Sequence, residues 1–289
     1  MSENTAFNAE QFKLAMQHSW DSAASGWNQQ TTQIHAWLAD ATRLMLDQVN
    51  LKPGSRVLDI AAGAGDQTLD IARRVGPDGH VLATDISPAI LQFTVENARR
   101  ASLNNIDVKA ADAENLGLGA ATFDAAISRL GLMFCPDPLK ALQEMHHALR
   151  ASGKASTLVF SEPQKNPCIG ILVSTALKHT GQPPRDPYQP GSLLSLGKPG
   201  LVNELFMKSG FTEVATTAIP AVFRLDSAKD YLQFIRTSAS PVMQILSKLD
   251  TAGQDAAWAE MEEKLDIFQT SSGWEGPNEL LLTTGTRSV

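Results

Sequence analysis

Gly63 and Gly65 stand one residue apart in the stretch VLDIAAGAGDQT, residues 57–68. Neither carries a Cβ, so the backbone can turn sharply there and a ligand can lie close against it. The apolar run before them reads as a buried strand. The residues after them begin a helix whose free N–H groups face the same spot. Asp59 ends the strand, beneath the loop. Asp85 closes the next strand, HVLATD (80–85), 20 residues beyond Gly65. A carboxylate at that offset accepts hydrogen bonds from ribose hydroxyls.

A glycine turn and such an acid suit NAD and S-adenosylmethionine alike. Two features separate them. The third glycine of the NAD pattern is replaced by Thr68, and a second acid, Asp112, ends the third strand, IDVKAAD (106–112). Asp112 can accept from an adenine amino group, Ala113 can lie flat against the ring, and Ile86 can cover its other face. The reading is S-adenosylmethionine. An NAD-dependent oxidoreductase and a non-catalytic S-adenosylmethionine-binding protein are the alternatives.

These residues need a scaffold, and the chain supplies a regular alternation. A helix over 31–49 puts Ile34, Trp37, Leu38, Ala41, Met45 and Val49 on one face. The strand RVLDIA and a helix over 66–75 follow. Ser87-Pro88 starts a helix reaching about Arg100, and Asp137-Pro138 starts another reaching about Arg150. Strands FDAAISRL (123–130) and KASTLVF (154–160) flank the latter helix. A helix over 199–209 stops at Gly210. FTEVATTAIPAVFRL reads as a sixth strand and LLLTTGTR (280–287) as the last. The class is α/β, with helices on both faces of a largely parallel sheet. Residues 1–50 form N-terminal lid helices and 51–289 the main domain. Insertions at about 163–195, rich in proline, and 226–272, helical, cap the carboxyl edge of the sheet, where ligands bind in such folds.

The pieces VLDIAAGAGDQT, DIS, DAENL, FDAAISRLGLMF, DPLKALQEMHHALRASGK and VFSEP occur in that order within residues 50–163. The chain thereby resembles the class I S-adenosylmethionine-dependent methyltransferases. Within them it is similar to the ubiquinone/menaquinone-biosynthesis C-methyltransferase group. The resemblance implies a Rossmann-like seven-stranded sheet of order 3-2-1-4-5-7-6, strand 7 antiparallel, with S-adenosyl-L-methionine as cofactor. It implies that Asp59, Gly63 and Gly65 form the loop beneath the methionine part and that Thr68 touches the cofactor. Asp85 matches the ribose acid, Asp112 and Ala113 the adenine contacts. Ser128, followed by Arg129, matches the methionine end. HSWDSAASGWNQQ (18–30) is similar to the segment that closes over the cofactor, with Trp20 and Trp27 as walls. Three departures stand out: Ala61 where relatives have a glycine, RASGK before strand five, and the 226–272 insertion, absent from the compact quinone enzymes.

Methyl transfer to a small organic acceptor, at carbon, oxygen or nitrogen, is an in-line displacement that rests on alignment. A base is needed only if the acceptor loses a proton during attack. His18, in the lid, and His179 and Glu162, at the cap, are the candidates. His35, His80, His146 and His147 are the remaining histidines. Arg129, a cation leaving a sheet strand at the ligand edge, can pair with a carboxylate of cofactor or acceptor. Met133, Phe134, Tyr188 and Trp274 can line an apolar acceptor pocket.

The composition narrows the partners. The chain has 289 residues, 43% of them hydrophobic, and a formal net charge of −7. An acidic surface repels nucleic acid. The two cysteines, Cys135 and Cys168, show no zinc spacing, so no metal is expected. They also fall short of the three that arsenite methylation would need. MSENTAFNAE lacks the apolar segment of a signal peptide, and no apolar run reaches membrane-spanning length. The expectation is a cytoplasmic enzyme of small molecules.

Overall fold

The computed structural model describes residues 8–238 and 241–288. Residues 1–7 of the expected lid lie outside the described residues.

Two helices open the chain, α1 (Ala9–Gln29) and α2 (Thr31–Gln48). The alternation after them is β1 (Arg56–Ile60), α3 (Asp66–Val75), β2 (His80–Asp85), α4 (Pro88–Arg100), β3 (Ile106–Ala110) and β4 (Phe123–Arg129). Next come α5 (Pro138–Ala148), β5 (Leu149–Phe160), α6 (Pro167–His179), α7 (Leu201–Lys208) and β6 (Phe211–Pro220). The capping signals act as their chemistry requires. Ser87 accepts from the Ile90 amide ahead of Pro88, and Asp137 from the Lys140 amide ahead of Pro138.

The remainder is β7 (Phe223–Leu225), α8 (Ala228–Thr237), α9 (Pro241–Leu246), α10 (Thr251–Leu265), β8 (Gln269–Thr270), β9 (Gly273–Gly276) and β10 (Glu279–Arg287). The main sheet has the order β3-β2-β1-β4-β5-β10-β6. β1 to β5 run parallel, and β10 is antiparallel to both its neighbours. This is the order expected from sequence, with β10 as the seventh strand. α2, α3 and α4 pack beside one another on one face, and α5 and α7 on the other. The central strands are buried on both faces: Val57, Leu58, Ala125, Ala126, Ala155 and Leu158 are fully enclosed.

The structure corrects several boundaries. The helix expected to reach Arg150 ends at Ala148, and β5 starts at Leu149 rather than 154. RASGK runs through a bulge, with Ser152 left-handed at φ 62°, so that Leu149 is opposite Phe123 but Lys154 is opposite Ala125. FTEVATTAIPAVFRL is two strands, because after Pro220 the chain leaves the main sheet and Phe223 pairs with Gly276 in a three-stranded sheet, β7-β9-β8. The insertion read as helical over 226–272 ends in β8, and β9 comes directly after it.

α6, α8, α9 and α10 pack on one another above the strand tips. α1 lies across α4 and α8. Its seat on α8 is tight: a Cβ at Gly26 would fall 2.2 Å from the Thr237 carbonyl oxygen. Gln30 Nε2 also donates to Thr237 Oγ1 at 3.0 Å.

Candidate cofactor and acceptor site

The tips of β1, β2 and β4 open into one cavity of about 220 Å³, roofed by α1, α6, α8 and α9. At its floor the chain leaves β1 in left-handed conformations: Ala61 has φ 56°, Gly63 61° and Gly65 88°. Gly65 caps α3, and a Cβ there would meet Thr94 Cγ2 at 2.8 Å. Ala61 holds a conformation that costs an L-residue about 1 kcal/mol or more. Leu130, at the tip of β4, does the same at φ 57°. Both line the cavity. Strain of this kind concentrates where a site needs a fixed backbone.

Asp85 is set by the loop it faces. Its Oδ2 accepts from the Gly63 amide and its Oδ1 from the Ser87 amide, each at 3.0 Å. Burial pushes its carboxyl up to about 6, against those amide bonds, which lower it. Each oxygen keeps a further lone pair, so two ribose hydroxyls can still be accepted. Asp112 comes after β3, and its Oδ1 accepts from the Glu114 amide at 2.9 Å. Ile86 and Ala113 lie on the same stretch of wall.

Asp59 and Thr68 lie behind the loop rather than on the cavity wall. Asp59 is fully buried and accepts from Gln67 Nε2 and, at 2.6 Å, from Thr68 Oγ1. It ties β1 to the first turn of α3. Burial lifts its carboxyl to about 7 although Thr68, Arg129 and Gln67 pull it down. Arg129 lies on the cavity wall, but its charge is met within the chain. It donates to Asp66 Oδ2 at 2.6 Å and to Thr42 Oγ1 at 2.8 Å. Ser128 Oγ is buried and has no partner among the described residues. It faces Gly131, where a Cβ would lie 3.0 Å from that oxygen.

α1 closes over this floor. Trp27 Nε1 is the nearest atom to a Cβ built on Gly63, at 3.2 Å. Trp20 meets Trp27 edge-on, centroids 5.3 Å apart, and Phe134 at 6.0 Å. Asp21 accepts from Ser87 Oγ at 2.5 Å, at the start of α4. Lys13 bridges Asp112 at 2.8 Å and Glu114 at 2.6 Å. Burial works to lower its pKa, but the bonds and charges of the two acids outweigh this and raise it. Sequence reasoning missed Lys13 and Asp21. Lys13 lies 99 residues from Asp112, and nothing local to either marks the pair.

Beyond Phe134 and Met133 the cavity is apolar, walled by Trp37, Phe160, Phe223, Phe234, Ile169 and Leu172. The three base candidates are not on its wall. His18 is exposed on α1, and His179 is bonded to Glu260 Oε2 at 2.8 Å. Glu162 sits half-buried at the end of β5. Tyr188 lies on a proline-rich surface turn beneath the Lys198 ammonium, 5.0 Å from its ring centroid. Trp274 is fully buried behind Tyr231.

One feature of the site fits an adenosyl-sulfonium cofactor: two carboxylates at consecutive strand tips, both on the cavity wall, retain accepting capacity, whereas the buried Ser128 hydroxyl is not on that wall. Among the described residues no group of three His, Cys, Asp or Glu could hold a metal. No helix among them is long and apolar enough to cross a membrane.

Residues 30–170 match the ubiE/COQ5 methyltransferase family. The chain is 38% identical over 122 residues to the ubiquinone/menaquinone biosynthesis C-methyltransferase of Idiomarina loihiensis, covering 42% of this chain and 49% of that one. It is 32% identical over 128 residues to the demethylmenaquinone methyltransferase of Bacillus cytotoxicus, covering 44% and 52%. The chain thus spans about half the length of the curated relatives it matches. The solved YcgJ protein of Bacillus subtilis shares the fold, with a TM-score of 0.59 at 15% identity over 87% of this chain and 99% of that one. Over residues 30–170 the chain is thus similar to the S-adenosylmethionine-dependent methyltransferases of the ubiquinone/menaquinone group, and S-adenosylmethionine is the cofactor this likeness indicates.

Proposed function

We propose that this chain transfers a methyl group from S-adenosylmethionine to a small, flat and largely apolar organic acceptor. One observation carries the reading: a single cavity joins the carboxylates at the strand tips to an aromatic chamber under the cap. The curated relatives are named for ubiquinone and menaquinone biosynthesis, and a ring of that general kind suits such a chamber.

When bound, the cofactor supplies an electrophilic methyl on a cationic sulfur. Asp85 takes the ribose hydroxyls, and Asp112, with Ile86 and Ala113, the adenine. Asp59 and Thr68 act at one remove, by fixing the loop that carries Gly63. The aromatic faces of Trp20, Trp27 and Phe134 stand where a cation is favoured, by about 0.5–2 kcal/mol per well-placed ring. Water is shut out by α1, which strengthens each of these interactions. Holding the acceptor in line can lower the barrier by up to about 7–11 kcal/mol in well-oriented cases. None of the three base candidates is on the chamber wall, so a proton that the acceptor loses on methylation passes to solvent and not to one of them.

The test is turnover. Purified protein is incubated with S-adenosylmethionine carrying a tritiated methyl group and a panel of phenols, amines and quinols. Transfer of label to an apolar ring, with cofactor binding by calorimetry, is the expected result. Absence of S-adenosylmethionine binding by folded protein would refute the proposal.

A further inference from the structure

The chamber beneath the cap is largely apolar; its polar members are Tyr231, Ser238 and Asn278, and Ser238 Oγ already donates to the Ile235 carbonyl and Asn278 Nδ2 to that of Gly276. Tyr231, on α8, lines the chamber and is 5% exposed. Its ring is clamped. It stacks on Trp274 with centroids 4.7 Å apart and planes 22° from parallel, and Phe223 meets it edge-on at 5.6 Å. Trp274 is in turn fixed by donating Nε1–H to the Leu265 carbonyl at 2.8 Å. The ring therefore cannot swing to seek a partner, and among the described residues its hydroxyl has none. The residue lines the cavity, so its hydroxyl is left to a ligand or water that enters there.

The charged groups of the cavity lie elsewhere. Lys13, Asp85, Asp112 and Arg129 all sit at the strand tips or on α1, and each is already bonded within the chain. An acceptor carrying phosphate or carboxylate would enter the chamber without a counter-charge. A flat ring with a single hydroxyl would meet aromatic walls and one fixed phenol.

We infer that Tyr231 is a specificity-determining residue of the acceptor pocket, hydrogen-bonding an oxygen borne by an aromatic ring, a neutral phenol or quinol. This rests on the methyltransferase reading of the same cavity. Tyr231 comes from the insertion between β6 and β10, so acceptor choice is set by the cap. Burial raises its phenol well above the usual tyrosine range. It therefore orients the acceptor as a neutral partner and does not withdraw a proton from it.

The variant Tyr231→Phe keeps the clamped ring and removes the hydroxyl alone. The probes are 2-naphthol and naphthalene, measured by equilibrium dialysis against the full chain saturated with S-adenosylmethionine, and again without it. Wild type should hold 2-naphthol about five- to tenfold more tightly than Tyr231→Phe does, the worth of one neutral hydrogen bond. Naphthalene should bind both proteins equally, and the variant should melt no lower than wild type. An equal loss for both probes would make Tyr231 a packing residue and overturn the inference. So would no loss for either, or failure of wild type to bind either. Failure of the methyltransferase reading shows separately, as absent S-adenosylmethionine binding, while the two-probe comparison without cofactor still decides the role of Tyr231.

Discussion

Asp85→Asn is the sharpest perturbation of the site. The change keeps size and removes charge. Both carboxylate oxygens already accept a backbone amide, from Gly63 and from Ser87. An asparagine can serve only one of these with oxygen, and its amino group then faces the other N–H donor. The ribose likewise loses one accepting oxygen. A hydrogen bond to a charged group contributes about 1.5–3 kcal/mol. With one bond lost and the other weakened, S-adenosylmethionine affinity should fall by about 2–3 kcal/mol, roughly 30- to 150-fold. The pH dependence gives a second readout. With its carboxyl at about 6, Asp85 binds ribose best when ionised, so wild-type affinity should weaken as pH falls below about 6. The variant should show no such fall. Stability of the ligand-free protein runs the other way. The folded carboxyl holds its proton to about 6 and the unfolded one to 3.8, so the native state binds more protons in between. Stability contributed by this group should therefore drop by about 3 kcal/mol as pH rises from about 4 to about 6. Calorimetric titrations from pH 5 to 8, with urea unfolding at matched pH, measure both. Affinity of folded Asp85→Asn within twofold of wild type, or wild-type affinity flat from pH 7.5 to 5, would refute the assignment.

Three other substitutions probe the strained loop and the ion pairs around the cavity. Ala61→Gly removes a side chain from a left-handed residue; relief of about 1 kcal/mol is set against about 0.5–1 kcal/mol of added chain entropy, so thermal melting should show stability unchanged or slightly raised. Arg129→Met strands Asp66 in a buried pair whose side chains are both 6% exposed, and urea unfolding should register a loss of about 3–5 kcal/mol. Lys13→Met leaves Asp112 and Glu114 facing each other without their cation. Limited proteolysis should then cut within α1 sooner than in wild type, and stability should fall by about 1–3 kcal/mol.

The parts of the fold that the sequence disclosed are those governed by local rules. Ser87-Pro88 and Asp137-Pro138 announce helix starts because a side-chain oxygen and a fixed φ act within one turn. Asp85 is legible because strand, turn and helix have near-constant lengths, which fixes its offset from Gly65. Position in the chain did not reveal which way a side chain turns. Asp59 and Thr68 are in the motif, yet they bond to each other behind the loop. Of two tyrosines, the one in the proline-rich insertion lies on a surface turn, and the one on α8 reaches the cavity. The α8 helix shows no local mark of this, because its burial depends on β7 and β9, paired across about fifty residues. The start of β5 was hidden for a similar reason, since its bulge is defined only by register against β4.

The contact of Gly26 and Gln30 with Thr237 makes α1 and α8 neighbours that cannot part unnoticed. One of these helices covers the strand-tip end of the cavity; the other carries the phenol that lines the cap end. A displacement of α1 that opens the first end therefore disturbs the wall of the second. On the proposed methyltransferase reading, loss of the spent cofactor and of the product should be coupled through this one contact.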